Sequence, residues 1–469
     1  MTAKPNPSSL ERVRPALVAV GVLVVLVALV NWGGTTKPGP IFALGVGVLL
    51  GLIGVFVGLG WWLLASPLPP GARVVPIPGA SRVRALAAAV SASSGLLFVA
   101  GGLWDEIWHR RYGGFGNDFL WPPHLLLYSS IALIAALAAG AVLVLALGFR
   151  GSGGLRERMR AEPLLGVIAL VSAYLIFSLP SDELWHRIYG RDITAWSLPH
   201  VILVTGIAGV MLASLPLALS SVPRRAGRFL EKLHPGEVVA LVLVAWATTI
   251  FLQIGTAEWE GLRAVQSGSS DTFRNAFWQR PEWLYPVVIV SIALFCGRVI
   301  QTALGRIGVA SLVGLLVLGF RVGMMAVNDA RDVGLGITPH LLILPAMFAL
   351  DASAWFLGTR DRSGVVTNLA SVAVFLVVAL SLLPTLVVYP RVNAGTLPGM
   401  IGMGLLMGVL AGAAGSSLGG MLARLGARAD SSAAEPRLEQ REGLTALAGL
   451  GLAVVIVLVS LAVASPPTR

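Results

Sequence analysis

The sequence predicts an all-α, polytopic integral membrane protein of about 13 transmembrane helices. Three observations carry this. Apolar residues make up 56% of the 469-residue chain and charged residues only 12%, about half the roughly 25% charged share of a soluble globular chain. Mean hydropathy is +0.82. Apolar runs of ~20 residues, enough to cross a hydrocarbon core of ~30 Å, recur to the end of the chain. Disorder needs the opposite composition. An outer-membrane barrel shows short alternating segments instead. A single anchor on a soluble enzyme would not repeat.

The predicted spans are 15–32, 41–65, 84–102, 123–148, 163–181, 197–221, 237–256, 284–303, 308–327, 339–357, 365–388, 398–422 and 443–464. The first follows Lys4, Arg12 and Arg14 and has no small-residue cleavage site behind it, so it reads as a span and not a signal peptide. The basic residues of alternate loops set the orientation. One set holds Arg73, Arg82 and Arg84, then Arg150, Arg156, Arg158 and Arg160, then Arg224, Arg225, Arg228 and Lys232. It continues with Arg306, Arg360 and Arg362, and ends with Arg424, Arg428, Arg437 and Arg441. All fall on the side of the N-terminus, which is therefore predicted cytoplasmic. An odd span count puts the C-terminus on the outer face of a plasma membrane. Segment 425–442 is the only sizeable polar inner segment. The inner halves of the spans read as almost free of ionisable groups.

The net charge of +11 belongs to these loops, and no nucleic-acid-binding motif accompanies it. Cys296 is the only cysteine, so no intramolecular disulfide or thiolate cluster forms and any metal site must use other ligands. The outer loops differ in composition, being rich in acids, His and Trp. Trp104, Trp108, Trp121, Trp185, Trp196, Trp259, Trp278 and Trp283 lie there, and most read as an interfacial aromatic belt.

The outer ends contain an internal repeat. One segment reads WDEIWHRRYGGFGNDFLWPPHLLLYSS and a second SDELWHRIYGRDITAWSLPHVILVTG. Both fit D-E-x-W-H-R-x-Y-G followed by Trp, Pro-His and an apolar helix. The unit is a helical hairpin repeated in tandem. Weaker copies follow at 256–286, where Glu260 and Tyr285 stand near the His positions, and at 328–342, which keeps Pro339 and His340. The chain divides accordingly. Residues 1–83 hold two N-terminal spans, 84–221 the two complete hairpins, 237–357 two degraded ones and 365–469 three C-terminal spans.

The complete motifs have a chemistry. Asp105 and His109, like Asp182 and His186, are four apart and share a helix face. Pro123 or Pro199 opens the returning helix, and His124 or His200 follows at once. Each hairpin thus assembles two imidazoles and a carboxylate, a set suited to copper, iron or zinc with open coordination positions. The chain has six His, and four of them occupy these motifs. A polar network that caps helix ends, or a path for protons or ions, is the other reading of such clusters. Glu106, Glu183, Arg110, Arg187, Arg191 and Asp192 read as partners around the ligands. Asn328, Asp329, Asp332 and His340 form a weaker candidate group. Met400, Met403 and Met407 suit Cu(I) but read as core packing. Gly404, Gly408 and Gly412 read as a close helix contact.

The segment from Asp182 to His200, DELWHRIYGRDITAWSLPH, resembles the copper-site segment in the C subunit of the copper membrane monooxygenases, the particulate methane and ammonia monooxygenases. The shared pattern is Asp, three residues, His, an Arg-Asp pair, then Pro and a second His opening the next helix. Here these are Asp182, His186, Arg191, Asp192, Pro199 and His200. The family subunit also carries a neighbouring site of the same form, with Asn in place of Asp. The likeness covers about residues 100–210. Both motifs here carry Asp, and the chain has about twice the family's spans. The resemblance implies copper, ahead of iron or zinc, held by Asp182, His186 and His200, with Asp105, His109 and His124 holding another. It implies oxidation of a small apolar substrate, a hydrocarbon or ammonia, with O2. It also implies partner subunits, one with cupredoxin-like domains, besides the lipid bilayer. The alternative is a non-enzymatic membrane protein that binds or transports a metal, or a transporter using the motifs as polar gates.

Overall fold

The computed structural model describes residues 39–464, apart from 65, 69–70, 72–79, 113–119, 148–153, 183–197, 221, 223–232, 267–282, 331–335, 358–363, 383–393 and 431–435. The predicted span 15–32 lies outside the described residues. Every element described is a helix. In chain order these are α1 (Gly39–Leu64), α2 (Ala80–Tyr112), α3 (Pro122–Leu147), α4 (Leu155–Ala161), α5 (Pro163–Ile176), α6 (Leu198–Ala213) and α7 (Leu215–Leu219). They continue with α8 (Pro235–Gln266), α9 (Leu284–Leu304), α10 (Val309–Val327), α11 (Thr338–Leu357), α12 (Val365–Leu382), α13 (Leu397–Asp430) and α14 (Pro436–Val463). Among the described residues, 11 helices are long and apolar enough to cross a membrane. The protein is a multi-pass membrane protein. The segment expected as a polar loop over 425–442 is instead mostly helix, as α13 runs to Asp430 and α14 starts at Pro436.

Proline sets several helix starts. Pro122, Pro163 and Pro235 each occupy the first position of a helix, where the missing N–H is no loss. The core is apolar and continuous. It runs from Ala88 and Ala92 on α2 through Val239 and Val244 on α8 to Val287, Leu294 and Val299 on α9. Lipid replaces water around it. Val454, Val455, Leu458 and Val459 of α14 are exposed, as a lipid-facing helix requires.

The tightest helix pair is α9 against α13. A Cβ on Gly415 or Gly419 would fall on the carbonyl of Phe295 or Val299. Backbones this close are the packing that small residues permit in a membrane. The glycine stripe read from sequence packs against α12 instead, where a Cβ on Gly404, Gly408 or Gly412 would meet the side chain of Leu376, Val372 or Asn368. Met400 and Met407 are fully buried in the core and serve packing.

Charged side chains pin the helix ends. Arg84 Nη1 lies 2.9 Å from Glu162 Oε1, both nearly inaccessible. Burial pushes the Glu162 carboxyl above its ordinary range, against the pull of Arg84. Arg306 donates to Glu237 at 2.6 Å, and Glu237 Oε2 also accepts the His234 amide. The arginines of α4 donate to carbonyls at the C-terminal ends of membrane helices. Arg158 reaches Ala146 O at 2.9 Å and Arg156 reaches Pro67 O at 2.8 Å. Arg160 donates to the carbonyl of Ser66. The Ala146 carbonyl lies in the last turn of α3 and has no partner within that helix, and Ser66 and Pro67 follow the end of α1, so each arginine ties down a helix end.

One expectation needs correction. The span halves predicted to face inward do hold ionisable groups. Asp351, 5% exposed, accepts from Gln301 Nε2, Ser311 N and Ser311 Oγ, each at 2.7 Å. Arg298 completes the cluster, donating to Gln301 Oε1 at 3.1 Å and to Ser416 Oγ at 2.8 Å. An intramembrane carboxylate persists because both of its oxygens have donors.

Candidate metal centre

The last two turns of α2 carry Asp105 and His109 on one face. The 113–119 segment lies outside the described residues, and the chain returns at Trp121 as α3. The Leu125 amide donates to Trp121 O at 3.0 Å, closing the first turn. His124, two residues beyond Pro122, then faces back toward α2. The two helices meet closely because of Gly101. A Cβ there would stand 2.9 Å from Pro123 O and 3.1 Å from Leu126 Cβ. Gly101 lies one turn below Asp105, and Pro123 adjoins His124. The glycine thus decides how near the ligands of the two helices come.

The result is a convergent set. His109 Nε2 stands 3.3 Å and His124 Nε2 2.8 Å from the same oxygen, Asp105 Oδ1. One donor atom from each of the three residues lies within 4.8 Å of the others. Among the described residues this is the group of three or more His, Cys, Asp or Glu that does so. Asp105 Oδ1 is buried, with both imidazoles as its near neighbours. Two ring nitrogens and a carboxylate oxygen at these distances suit a cation between them. The side chains are about one-fifth exposed or less, 21% for Asp105, 19% for His109 and 16% for His124. A small solute can reach the site from its open side.

Aromatic rings wall the other sides. Trp121 lies 5.4 Å from the His109 ring and stacks on His124 at 6.4 Å. Trp108 meets Trp121 edge-on at 5.5 Å and Trp104 at 5.2 Å. Beneath Asp105 the packing is apolar, with Leu96, Leu97, Ala100, Leu103 and Leu126 buried in one cluster.

The neighbouring charges have other tasks. Glu106 pairs with Arg110 at 2.5 Å, one turn apart. Arg111 donates to the carbonyls of Asn328 at 3.0 Å and Asp329 at 2.7 Å. This ties the end of α2 to the turn after α10, where Asp329 adopts a left-handed φ of 44°. The Asn328 amide donates to Met324 O at 2.9 Å. His340 lies in the first turn of α11, fully buried.

The second predicted set is described only in part. Asp182 ends the helical segment that follows α5, and His200 stands in the first turn of α6. His186, Glu183, Arg191 and Asp192 lie outside the described residues. The two helices approach closely at Gly206, where a Cβ would stand 2.9 Å from the Leu175 backbone. Tyr174 and Thr205 bond across the same contact at 2.8 Å.

Reading the sequence alone missed three contributors. Trp121 reads from sequence as part of the interfacial belt, yet its ring lies against both imidazoles. Gly101 carries no motif of its own, and its signal in the sequence is the Gly-Gly pair just before the W-D-E signature. Arg111 carries no motif, and its acceptors lie 217 and 218 residues away. Compared with protein-family models, with curated proteins and with solved structures, the chain has no match in any of the three.

Proposed function

We propose that this multi-pass protein binds a transition metal, copper in the first place, at Asp105, His109 and His124, with Asp182, His186 and His200 as a second set of the same kind. The observation that carries the reading is the convergence of two Nε2 atoms on one buried carboxylate oxygen. Two imidazoles and one carboxylate leave coordination positions open, and copper, iron and zinc all accept such a set. Copper ranks first through the likeness of the DELWHRIYGRDITAWSLPH segment to the copper monooxygenase C subunit. Bound there, copper would supply one-electron chemistry toward O2. The chain's own residues would hold the ion, through Asp105, His109 and His124. They would exclude water on one side, through Trp104, Trp108 and Trp121. A small apolar substrate, a hydrocarbon or ammonia, would come from the open face or the bilayer. The apolar packing beneath Asp105 favours a site that retains its metal over a conduction path, which would need polar groups to continue inward.

The test is metal content by elemental mass spectrometry after purification in mild detergent and reconstitution with Cu, Fe or Zn. Wild type is compared with His109→Ala/His124→Ala and with His186→Ala/His200→Ala. Near-stoichiometric copper that falls in the variants supports the reading and leads to oxygen-uptake assays on hydrocarbons and ammonia. Copper retained without substrate-dependent O2 uptake would reduce it to a metal-binding protein. Wild type that takes up none of the three metals would leave both motifs as polar networks at helix ends.

A further inference from the structure

The rings beside the metal set continue away from it as an unbroken ladder. Trp104, Trp108 and Tyr112 stand at i,i+4 spacing and share one face of α2, next to the face of Asp105 and His109. Successive rings on it meet edge-on, Trp104 with Trp108 at 5.2 Å and Trp108 with Tyr112 at 5.8 Å between centroids. Trp121 joins the ladder to the ligands, 5.5 Å from the Trp108 ring and 5.4 Å from the His109 ring. Every step lies within the range of aromatic contact. Indoles and phenols give up one electron more readily than most side chains, and rings in contact pass it between them.

The ends of the ladder differ in what they can do with charge. Trp104 is 1% exposed and packs in the apolar cluster of Leu96, Leu97 and Leu103, with its Nε1 buried and unpartnered. An oxidised indole there would hold a positive charge in an apolar place, with no acceptor for its proton. Tyr112 is the last residue of α2 and is partly exposed. A phenol that loses an electron and gives its proton to water becomes a neutral radical, so no buried charge is left. Tyr128 also lies near the set, 6.0 Å from the His124 ring. It stands in the second turn of a membrane helix, where the hydrocarbon layer has no water to take a proton. We propose that Trp121 and Trp108 carry one electron from Tyr112 to the metal centre and so spare its ligands from oxidation. The path presupposes copper held by Asp105, His109 and His124. A peroxide that meets cuprous ion there needs two electrons. The ion supplies one and becomes cupric, and Tyr112 supplies the other through the two indoles. The O–O bond breaks, and the phenol proton and one proton from solvent join the peroxide's own two hydrogens in two water molecules. A neutral Tyr112 phenoxyl remains at the helix end.

The experiment uses the full-length protein in lipid nanodiscs, loaded anaerobically with copper(I), assayed for copper content and mixed with one equivalent of hydrogen peroxide. Freeze-quench electron paramagnetic resonance reads the radical, and peptide mass spectrometry reads which residues are oxidised. The expected result is a tyrosyl signal that is lost in Tyr112→Phe and kept in Tyr128→Phe. It should fall by about tenfold or more in Trp108→Phe, which keeps a ring in the packing but one that resists oxidation. Oxidation in that variant should move to His109, His124 and Trp121. Should Trp108→Phe not fold, Trp121→Phe cuts the same path at its other rung and should lower the signal alike. Copper bound without a tyrosyl signal overturns the ladder and leaves the metal reading standing. So does a signal that survives Tyr112→Phe or is unchanged in the Trp variants. Wild type that binds no copper overturns both.

Discussion

Arg84 and Glu162 offer the sharpest test of how charge is held in this bundle. Their side chains are 3% and 6% exposed, with the closest approach at 2.9 Å. At a charge separation near 4 Å and an effective dielectric constant of about 20, their attraction is worth about 4 kcal/mol. Removing one partner of such a pair typically costs about 3–5 kcal/mol, because the other charge stays buried. The two removals are not equivalent, however. Arg84 cannot shed its proton, so Glu162→Gln strands a full charge and should cost about 3–4 kcal/mol at any pH near neutrality. Glu162 can take up a proton, and burial already raises its affinity for one. Arg84→Leu therefore leaves a carboxyl that neutralises itself. A folded-state carboxyl with a raised pKa contributes stability that is fully present below the unfolded value and is lost as pH rises through the folded value. Arg84→Leu should accordingly be mild at low pH and worsen by up to about 1.4 kcal/mol per pH unit as pH climbs through that window. Arg84→Leu/Glu162→Leu should lie close to wild type. Thermal unfolding in one detergent, followed by tryptophan fluorescence from acid to mildly alkaline pH, reads all three. The reasoning fails if Glu162→Gln is no worse than Arg84→Leu in acid, or if the Arg84→Leu deficit is flat with pH.

Other outcomes follow from the same geometry. Gly101→Val should lower copper retention without removing a ligand, because its side chain would press on Pro123 O and Leu126; copper stoichiometry against an unchanged gel-filtration profile checks it. Copper(II) should quench the fluorescence of Trp121, which lies over both imidazoles, so Trp121→Phe should lose a large part of the copper-dependent quenching while still binding the ion. Gly415→Leu should destabilise the α9–α13 pair far more than Gly399→Leu, since a Cβ at 415 meets the Phe295 carbonyl and one at 399 meets nothing within 4 Å. Expression yield and thermal unfolding of the two variants in parallel decide this.

Much of the molecule was legible in its sequence because a bilayer restricts the choices. With no water in the hydrocarbon layer, backbone groups must bond within their own helix, so apolar length alone located the spans. The i,i+4 spacing of Asp105 and His109 placed both on one face of α2 without any knowledge of neighbours. Proline followed by His124 placed the third candidate ligand at the start of the returning helix. The three side chains come together because all of them sit in one hairpin, where local geometry suffices.

What the sequence could not determine depends on contacts between distant segments. That Gly101 lets α2 meet α3 is a property of the pair, since a glycine in an apolar run carries no mark of what it will face. The pairing of Arg84 with Glu162, 78 residues away, turned an apparent orientation signal into a buried ion pair. Asp351 is a lone acid among apolar neighbours in the sequence, and it is tolerated because Gln301 and Ser311 reach it from other helices. His340 reads as a remnant of the repeated motif, and the fold buries it in the first turn of α11. Local pattern fixes which residues share a face. Only packing fixes which faces meet, and in a low-dielectric interior that meeting decides whether a charge finds a partner or is stranded.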